Sequence, residues 1–418
     1  MNASDWRRPF FVLWSGQAVS LFGSSLVQFA LIWWLTQTTG SATVLATASL
    51  VGLLPQVLLG PVAGVVVDRA SRRVVMIVAD SLVAAFTLGL ALLFWAGLAQ
   101  LWHVYVILLA RAVAGAFHFP AMQASTGLMV PEAQLARVAG FNQTLQAGMG
   151  IVAPPVGALL LSLLPMQGVL AVDVVTAVAG VAPLFFLRIP RPPARPAGAA
   201  QPSFTADLAA GLRYVAGWPG LLIILGMAAV INLLLVPAGS LIPILVTRHF
   251  GGAAAQLATM ESAFSLGMVA GGLVLGVWGG FKRRIVTSLL GLAGLGLGTL
   301  VVGLAPADGF WLAVAGSFAM MAMSALTNGP LFAVLQAAVA PEMHGRVFTL
   351  IGSLSALMAP LGLLAAGPVA DALGVQVWYQ LGGLACLVMA GLGLALPVVR
   401  DLEARRPAAP APTPIAAD

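Results

Sequence analysis

Charge is what this sequence has least of. Only 8% of its 418 residues are Asp, Glu, Lys or Arg, while 60% are hydrophobic. A water-soluble domain of that make-up would not stay dissolved, so the chain reads as a polytopic membrane protein. Lysine occurs once, as Lys282, with arginines and no Ser or Thr after it. A G-x-x-x-x-G-K-[ST] phosphate loop is thereby excluded, and an ATP-driven pump would need another subunit. Cysteine also occurs once, as Cys386 in an apolar run, which excludes an internal disulfide and a cysteine metal cluster. H-E-x-x-H and G-x-S-x-G are missing too, so a membrane-embedded enzyme has no support, and neither metal nor cofactor is expected.

What the chain does have is apolar length. A spanning helix needs about 20 apolar residues, and twelve such runs are expected at 10–35, 42–67, 74–98, 103–129, 139–164, 169–187, 220–247, 255–278, 285–305, 310–339, 347–373 and 376–398. The first is too long for the apolar core of a signal peptide and lacks a convincing cleavage site, so no cleaved leader is expected.

The formal net charge of +6 does not form one patch, and nucleic acid is not an expected partner. The basic residues fall in short loops: Arg7 and Arg8, the 68–73 loop, Arg137, Arg188, Arg191, Arg195 and Arg213, then Lys282 to Arg284, Arg346, and Arg400, Arg405 and Arg406. All of these share one side, which the positive-inside rule makes cytoplasmic, with both termini inside. Among 19 basic residues only Arg248 sits in an opposite loop and only Arg111 inside a span.

The expected organisation is a six-helix bundle over 1–187, a proline-rich cytoplasmic linker over 188–219, a second bundle over 220–400 and a disordered tail over 401–418. An internal repeat relates the halves. Pro120 and Pro330 each precede a Pro-Glu pair, Pro131-Glu132 and Pro341-Glu342, which is followed by Arg137-Val138 and Arg346-Val347. The 68–73 loop likewise has a counterpart in GGFKRR over 279–284. Two related bundles about an axis along the membrane normal, with a substrate path between them, follow.

Residues 60–73, GPVAGVVVDRASRR, concentrate Asp68, Arg69, Arg72 and Arg73 between two apolar runs. The pattern G-x-x-x-D-R-x-x-R-R, opened by Gly64, resembles the loop between helices 2 and 3 of major facilitator superfamily transporters. Ile107-x-x-x-Arg111-x-x-Ala114-Gly115 is similar to the superfamily's second motif. Ala153-Pro154-Pro155-Val156-Gly157-Ala158 resembles its antiporter signature, with alanines where two glycines are expected. The stretch LWSGQAVSLFGSSLVQFALIWWLTQTTGSATVLATASLVGLLPQVLLGPVAGVVVDR, then AFHFPA, MVPEAQLARVAGFNQTLQ and GRVFTLIGSLSALMAPLGL, resemble the macrolide-efflux branch over nearly the whole chain. The resemblance implies an all-α, twelve-helix, proton-coupled exporter of lipophilic compounds. It also implies a conformational latch of Gly64, Asp68, Arg69 and Arg72. Gly64 would let a neighbouring backbone approach, and Asp68 would face the positive N-terminal end of the eleventh span. The plainer alternative is that these charges only fix topology.

Ionisable groups inside spans cost about 2.5–3.5 kcal/mol each on insertion scales, so Asp80, Arg111, Asp173 and Glu261 require a reason. All four are proton-coupling candidates. A carboxyl shielded from water takes up a proton more readily, which suits Asp80 and Glu261. The alternative for each is a structural partner, with Asp80 near enough to pair with Arg72 or Arg73. Arg111 keeps its proton and can hold a carboxylate, with Asp173 at similar depth. Asp371, near the end of the eleventh span, reads as a solvated end residue.

Gln17, Ser20, Ser24 and Gln28 recur at helical spacing on one face of the first span, the wall expected to meet the cargo. Asn142, Gln143, Gln146, Asn232, Asn328 and Gln336 are further cavity candidates, with helix-to-helix hydrogen bonding as the alternative. Phe117, His118 and Phe119 offer stacking surface, and His118 a second route for a proton. Trp95, Trp102, Trp311, Trp378 and Tyr379 read as interfacial anchors. The sum is a monomeric secondary transporter of the bacterial inner membrane that exports lipophilic or cationic amphipathic, macrolide-like compounds by proton antiport. An exporter of siderophores or other metabolites, favoured by a more basic cavity, is the alternative.

Overall fold

In hydrocarbon a backbone must satisfy its own hydrogen bonds, which leaves long apolar runs no ordered alternative to the helix. The computed structural model describes residues 6–187, 189, 212–339 and 343–403, and among these the regular structure is helical throughout. Most of the 188–219 linker, the Pro341-Glu342 pair and the tail from residue 404 lie outside the described residues.

Among the described residues, twelve helices are long and apolar enough to span. They are α1 Arg7–Thr39, α2 Ala42–Arg69, α3 Arg72–Trp95, α4 Leu101–Met129, α5 Glu132–Leu163, α6 Met166–Phe186, α7 Pro219–Ser240, α8 Ala254–Trp278, α9 Arg284–Leu304, α10 Phe310–Ala338, α11 His344–Leu373 and α12 Gln376–Ala395. Each expected span is a helix, and several run further than their apolar cores. The seventh differs: α7 stops at Ser240, and the chain continues through a turn, Ile242–Ile244, into a π-helical turn, Leu245–His249. Pro243 has no N–H to continue the ladder, and hydropathy does not register such a break.

Helix pairing repeats across the chain. α1 packs on α5 and α6, α3 on α4 and α6, and α2 on α4. Six helices later, α7 packs on α11 and α12, α9 on α10 and α12, and α8 on α10. The two main contacts between the sets, α2 with α11 and α5 with α8, exchange under the same shift. This reproduces the internal repeat in space. Small residues set the closest of these contacts. A Cβ added at Gly271 of α8 would collide with the Ala322 carbonyl oxygen of α10, so only glycine fits there.

The aromatic anchors divide. Trp95, Trp102 and Trp311 are exposed near helix ends, as interfacial residues should be. Trp378 and Tyr379 are not anchors, because both are buried. The Trp378 indole donates to the Ala366 carbonyl at 3.1 Å and the Tyr379 hydroxyl to the Ala238 carbonyl at 2.7 Å, which joins α12 to α11 and α7. Position near a span end was a poor guide, since both rings turn towards neighbouring helices.

Candidate functional site

Two polar clusters interrupt the apolar contacts among α1, α3, α4 and α6. In the first, Arg111 of α4 lies 2.6 Å from Asp173 of α6. The Asp173 side chain is 1% exposed, a depth at which a carboxylate needs several partners. It has them: Ser24 Oγ donates at 2.9 Å and Thr87 Oγ1 at 3.2 Å, while the second guanidinium nitrogen of Arg111 donates to the Ser24 carbonyl at 2.8 Å. One ion pair thus ties four helices together. The pairing of Arg111 with Asp173 was legible in the sequence; Thr87 was not, since a hydroxyl on an apolar helix carries no signal of its own.

The second cluster centres on Asp80 of α3. Its carboxylate accepts from Gln17 Nε2 of α1 at 3.1 Å and lies 3.3 Å from His118 Nε2 of α4. Gln17 also donates to the Gly180 carbonyl of α6 at 3.1 Å, and its Oε1 lies 2.9 Å from His118 Nε2. With the amide so oriented, both groups facing Nε2 are acceptors, which favours the tautomer with its hydrogen on Nε2. Asp80 does not pair with Arg72 or Arg73. Arg72 instead donates to the Ala124 carbonyl at 3.0 Å and Arg73 to the Phe185 carbonyl at 2.7 Å. Asp80 and His118 are 38 residues apart, and only the packing of α3 on α4 brings them together.

Both clusters face a cavity of about 910 Å³ lined by Gln17, Ser20, Ser24, Asp80, Arg111, His118, Phe119, Asn142, Gln143 and Gln146, among others. A neighbouring cavity of about 480 Å³ shares Ser24, Arg111 and Gln146 with it and adds Gln28 and Glu261. The polar face of α1 therefore lines one continuous region, and α8 delivers Glu261 to it. Among the described residues, the Glu261 carboxylate has no hydrogen-bond or ion-pair partner. Asn142 accepts from the Trp14 indole at 2.7 Å, which fixes α5 against α1.

Other candidates fall elsewhere. Phe117 lines an apolar groove with Val78, Leu82 and Val113, turned from the polar cavity that His118 and Phe119 face. Asn232 and Asn328 donate to Ala228 and Ser324 of their own helices, and Gln336 is exposed. Around the loop after α2, Asp68 and Arg69 are exposed, and a Cβ added at Gly64 would meet nothing within 4 Å. Asp371 is exposed at the end of α11, as an end residue should be, but it also receives hydrogen bonds from the start of α2 and from Arg248. A lone acid near a span end gives no hint of such partners, because they come from a segment 330 positions away.

Chemically, the region offers a neutralised and fully bonded pair, a carboxylate and imidazole able to share a proton, a separate carboxylate, and amide and aromatic surface around them. Nothing in it resembles a catalytic triad, and among the described residues no His, Cys, Asp and Glu cluster can hold a metal.

Known proteins place this architecture. The model of the Major Facilitator Superfamily matches residues 13–239 and again 236–417. Macrolide efflux protein A of Streptococcus pyogenes is 35% identical over 401 residues, 96% of this chain and 98% of that protein. The multidrug efflux pump Tap of Mycobacterium tuberculosis is 28% identical over 423 residues, covering 95% of each. A solved POT family transporter in complex with a thioalcohol-conjugated peptide superposes with a TM-score of 0.72 over 93% of this chain and 96% of that one, at 12% identity, which speaks to fold alone. This twelve-helix protein is thus a transporter rather than an enzyme, and it belongs to the major facilitator superfamily, with relatives among its macrolide-efflux proteins.

Proposed function

We propose that the chain exports lipophilic or cationic amphipathic compounds, macrolide-like drugs among them, in exchange for protons by alternating access. The observation that carries this reading is that Asp80 with His118 and a separate carboxylate, Glu261, line two neighbouring cavities that share Ser24, Arg111 and Gln146. The relation to a macrolide efflux protein over nearly the whole chain supports the cargo class. An anionic siderophore is a poorer fit, because Asp173 already neutralises Arg111.

In this reading the arginine-rich face is cytoplasmic, both termini lie inside the bacterial inner membrane, and the protein acts as a monomer. The bundles 1–187 and 220–400, joined by the 188–219 linker, rock about the cavity. A proton enters at His118 Nδ1, and the pair passes from net negative to neutral. The Arg111–Asp173 pair holds α4 on α6 while this happens. Gly64, Asp68, Arg69 and Arg72 act on the cytoplasmic side, where the space beside Gly64 receives α11 when that mouth closes.

The test is uptake into inverted vesicles or proteoliposomes under an imposed pH gradient, with macrolides, cationic dyes and siderophores as cargo. Gradient-dependent uptake of macrolides or dyes is expected. Stimulation by ATP alone, or gradient-driven transport of siderophores only, overturns the proposal.

A further inference from the structure

The α2–α11 contact ends, on the face away from the arginine-rich loops, in a concentration of hydrogen bonds on one side chain. Asp371, two residues before the end of α11, accepts from the backbone N–H of Ala42 at 3.0 Å and of Thr43 at 3.0 Å. It also accepts from Ser41 Oγ at 3.1 Å and Thr43 Oγ1 at 2.8 Å, and Arg248 Nη1 lies 3.2 Å away. The first N–H groups of a helix lack partners within it, and the helix dipole makes that end attractive to an anion. Ser41 serves Val44 N from its own side chain at 3.3 Å. The N–H groups of Ala42 and Thr43 are served by the carboxylate of a helix from the other half of the chain.

Backbone spacing agrees. Gly367, one helical turn before Asp371, meets Thr43 so closely that a Cβ there would collide with the Thr43 Cα. Nearer the opposite end of α2, a Cβ added at Gly64 would meet nothing within 4 Å. The bonds on Asp371 therefore belong to an arrangement in which α2 and α11 are joined at the mouth away from the arginine-rich loops.

From this we infer that Asp371 is the latch of the outer mouth. Its carboxylate caps α2 across the interface between the halves, with Arg248 from the turn after α7 as its counter-charge, and the cap must break whenever the protein opens outward. The inference rests on the alternating-access reading and on the orientation given above. It assigns to the far end of α2 a device distinct from the loop at 68–73: a borrowed helix cap whose loss biases the transporter towards the outward-open state.

The single cysteine permits a direct test, since one substitution, Cys386→Ser, leaves the chain without thiols. In a Cys386→Ser background, Ile32→Cys places a thiol beside the cavity that holds Glu261. Its rate of reaction with a membrane-impermeant maleimide added outside right-side-out vesicles reports opening of the outer mouth. Asp371→Asn should raise that rate by about tenfold, the order of one hydrogen bond to a charged group. Asp371→Glu should restore slow labelling, and Arg248→Ala should give a smaller rise. Equal rates in the parent and in Asp371→Asn, with both eluting as single species in detergent, overturn the latch. If the parent thiol never reacts from outside, even under a pH gradient, alternating access fails; the latch is then still decided by whether Asp371→Asn admits the reagent.

Discussion

Arg111 and Asp173 meet at 2.6 Å, with the aspartate all but sealed from solvent. Removing one partner of so buried a pair leaves the other charge uncompensated, at a cost of about 3–5 kcal/mol. Asp173→Asn should therefore lower the melting temperature in detergent. The double change Arg111→Met with Asp173→Leu should be milder than Asp173→Asn alone. A double variant no more stable than the single one would mean that the hydrogen bonds from Ser24 and Thr87, not the charge, hold these helices.

Asp80 and His118 predict a pH signature. His118→Gln keeps polarity while removing the imidazole that faces Asp80, so the pH dependence of transport should flatten. Asp80→Asn should abolish gradient-driven accumulation with little change in melting temperature, because an amide can still accept from Gln17. An unchanged pH profile in His118→Gln would remove the imidazole from the proton path.

Glu261 separates cargo classes. Glu261→Gln removes the carboxylate that α8 brings to the cavity, and transport of cationic dyes should fall by about tenfold or more, the order of one ion contact. Neutral lipophilic cargo should be affected less if Glu261 meets the cargo, and equally if it carries the coupled proton. Parallel measurement of both cargoes in vesicles distinguishes the two roles, and no loss for either removes Glu261 from both.

Gly64 and Gly367 should respond in opposite ways. Gly64→Ala adds a methyl group where nothing lies within 4 Å, so thermal stability should hold while transport slows, if another state brings α11 there. Gly367→Ala places its methyl against the Thr43 backbone and should lower stability in the arrangement described above. Full transport by Gly64→Ala would count against a role for the 68–73 loop beyond topology.

Long-range geometry separates what was legible from what was not. Helix count follows from apolar length, and the partnership of Arg111 with Asp173 from depth and charge, both properties of a residue's own position in the sequence. His118 with Asp80, and Asp371 with the start of α2, depend on how helices far apart in sequence turn towards one another, which periodicity does not specify. The same limit explains Trp378 and Tyr379. Closeness to a span end predicts an interface, but both rings turn inward, where they donate to backbone carbonyls of α11 and α7.

Gln17 carries one more implication. Its single amide touches Asp80, His118 and Gly180 at once, so the proton-sharing pair exists only at one angular setting of α1. A rotation of α1 by one residue, about 100°, would withdraw the amide from all three groups together. Under the proposed exchange mechanism this would make the first helix a timing element: release of the proton would be tied to its twist, and a substitution at position 17 should uncouple proton flow from cargo movement without touching either ionisable group.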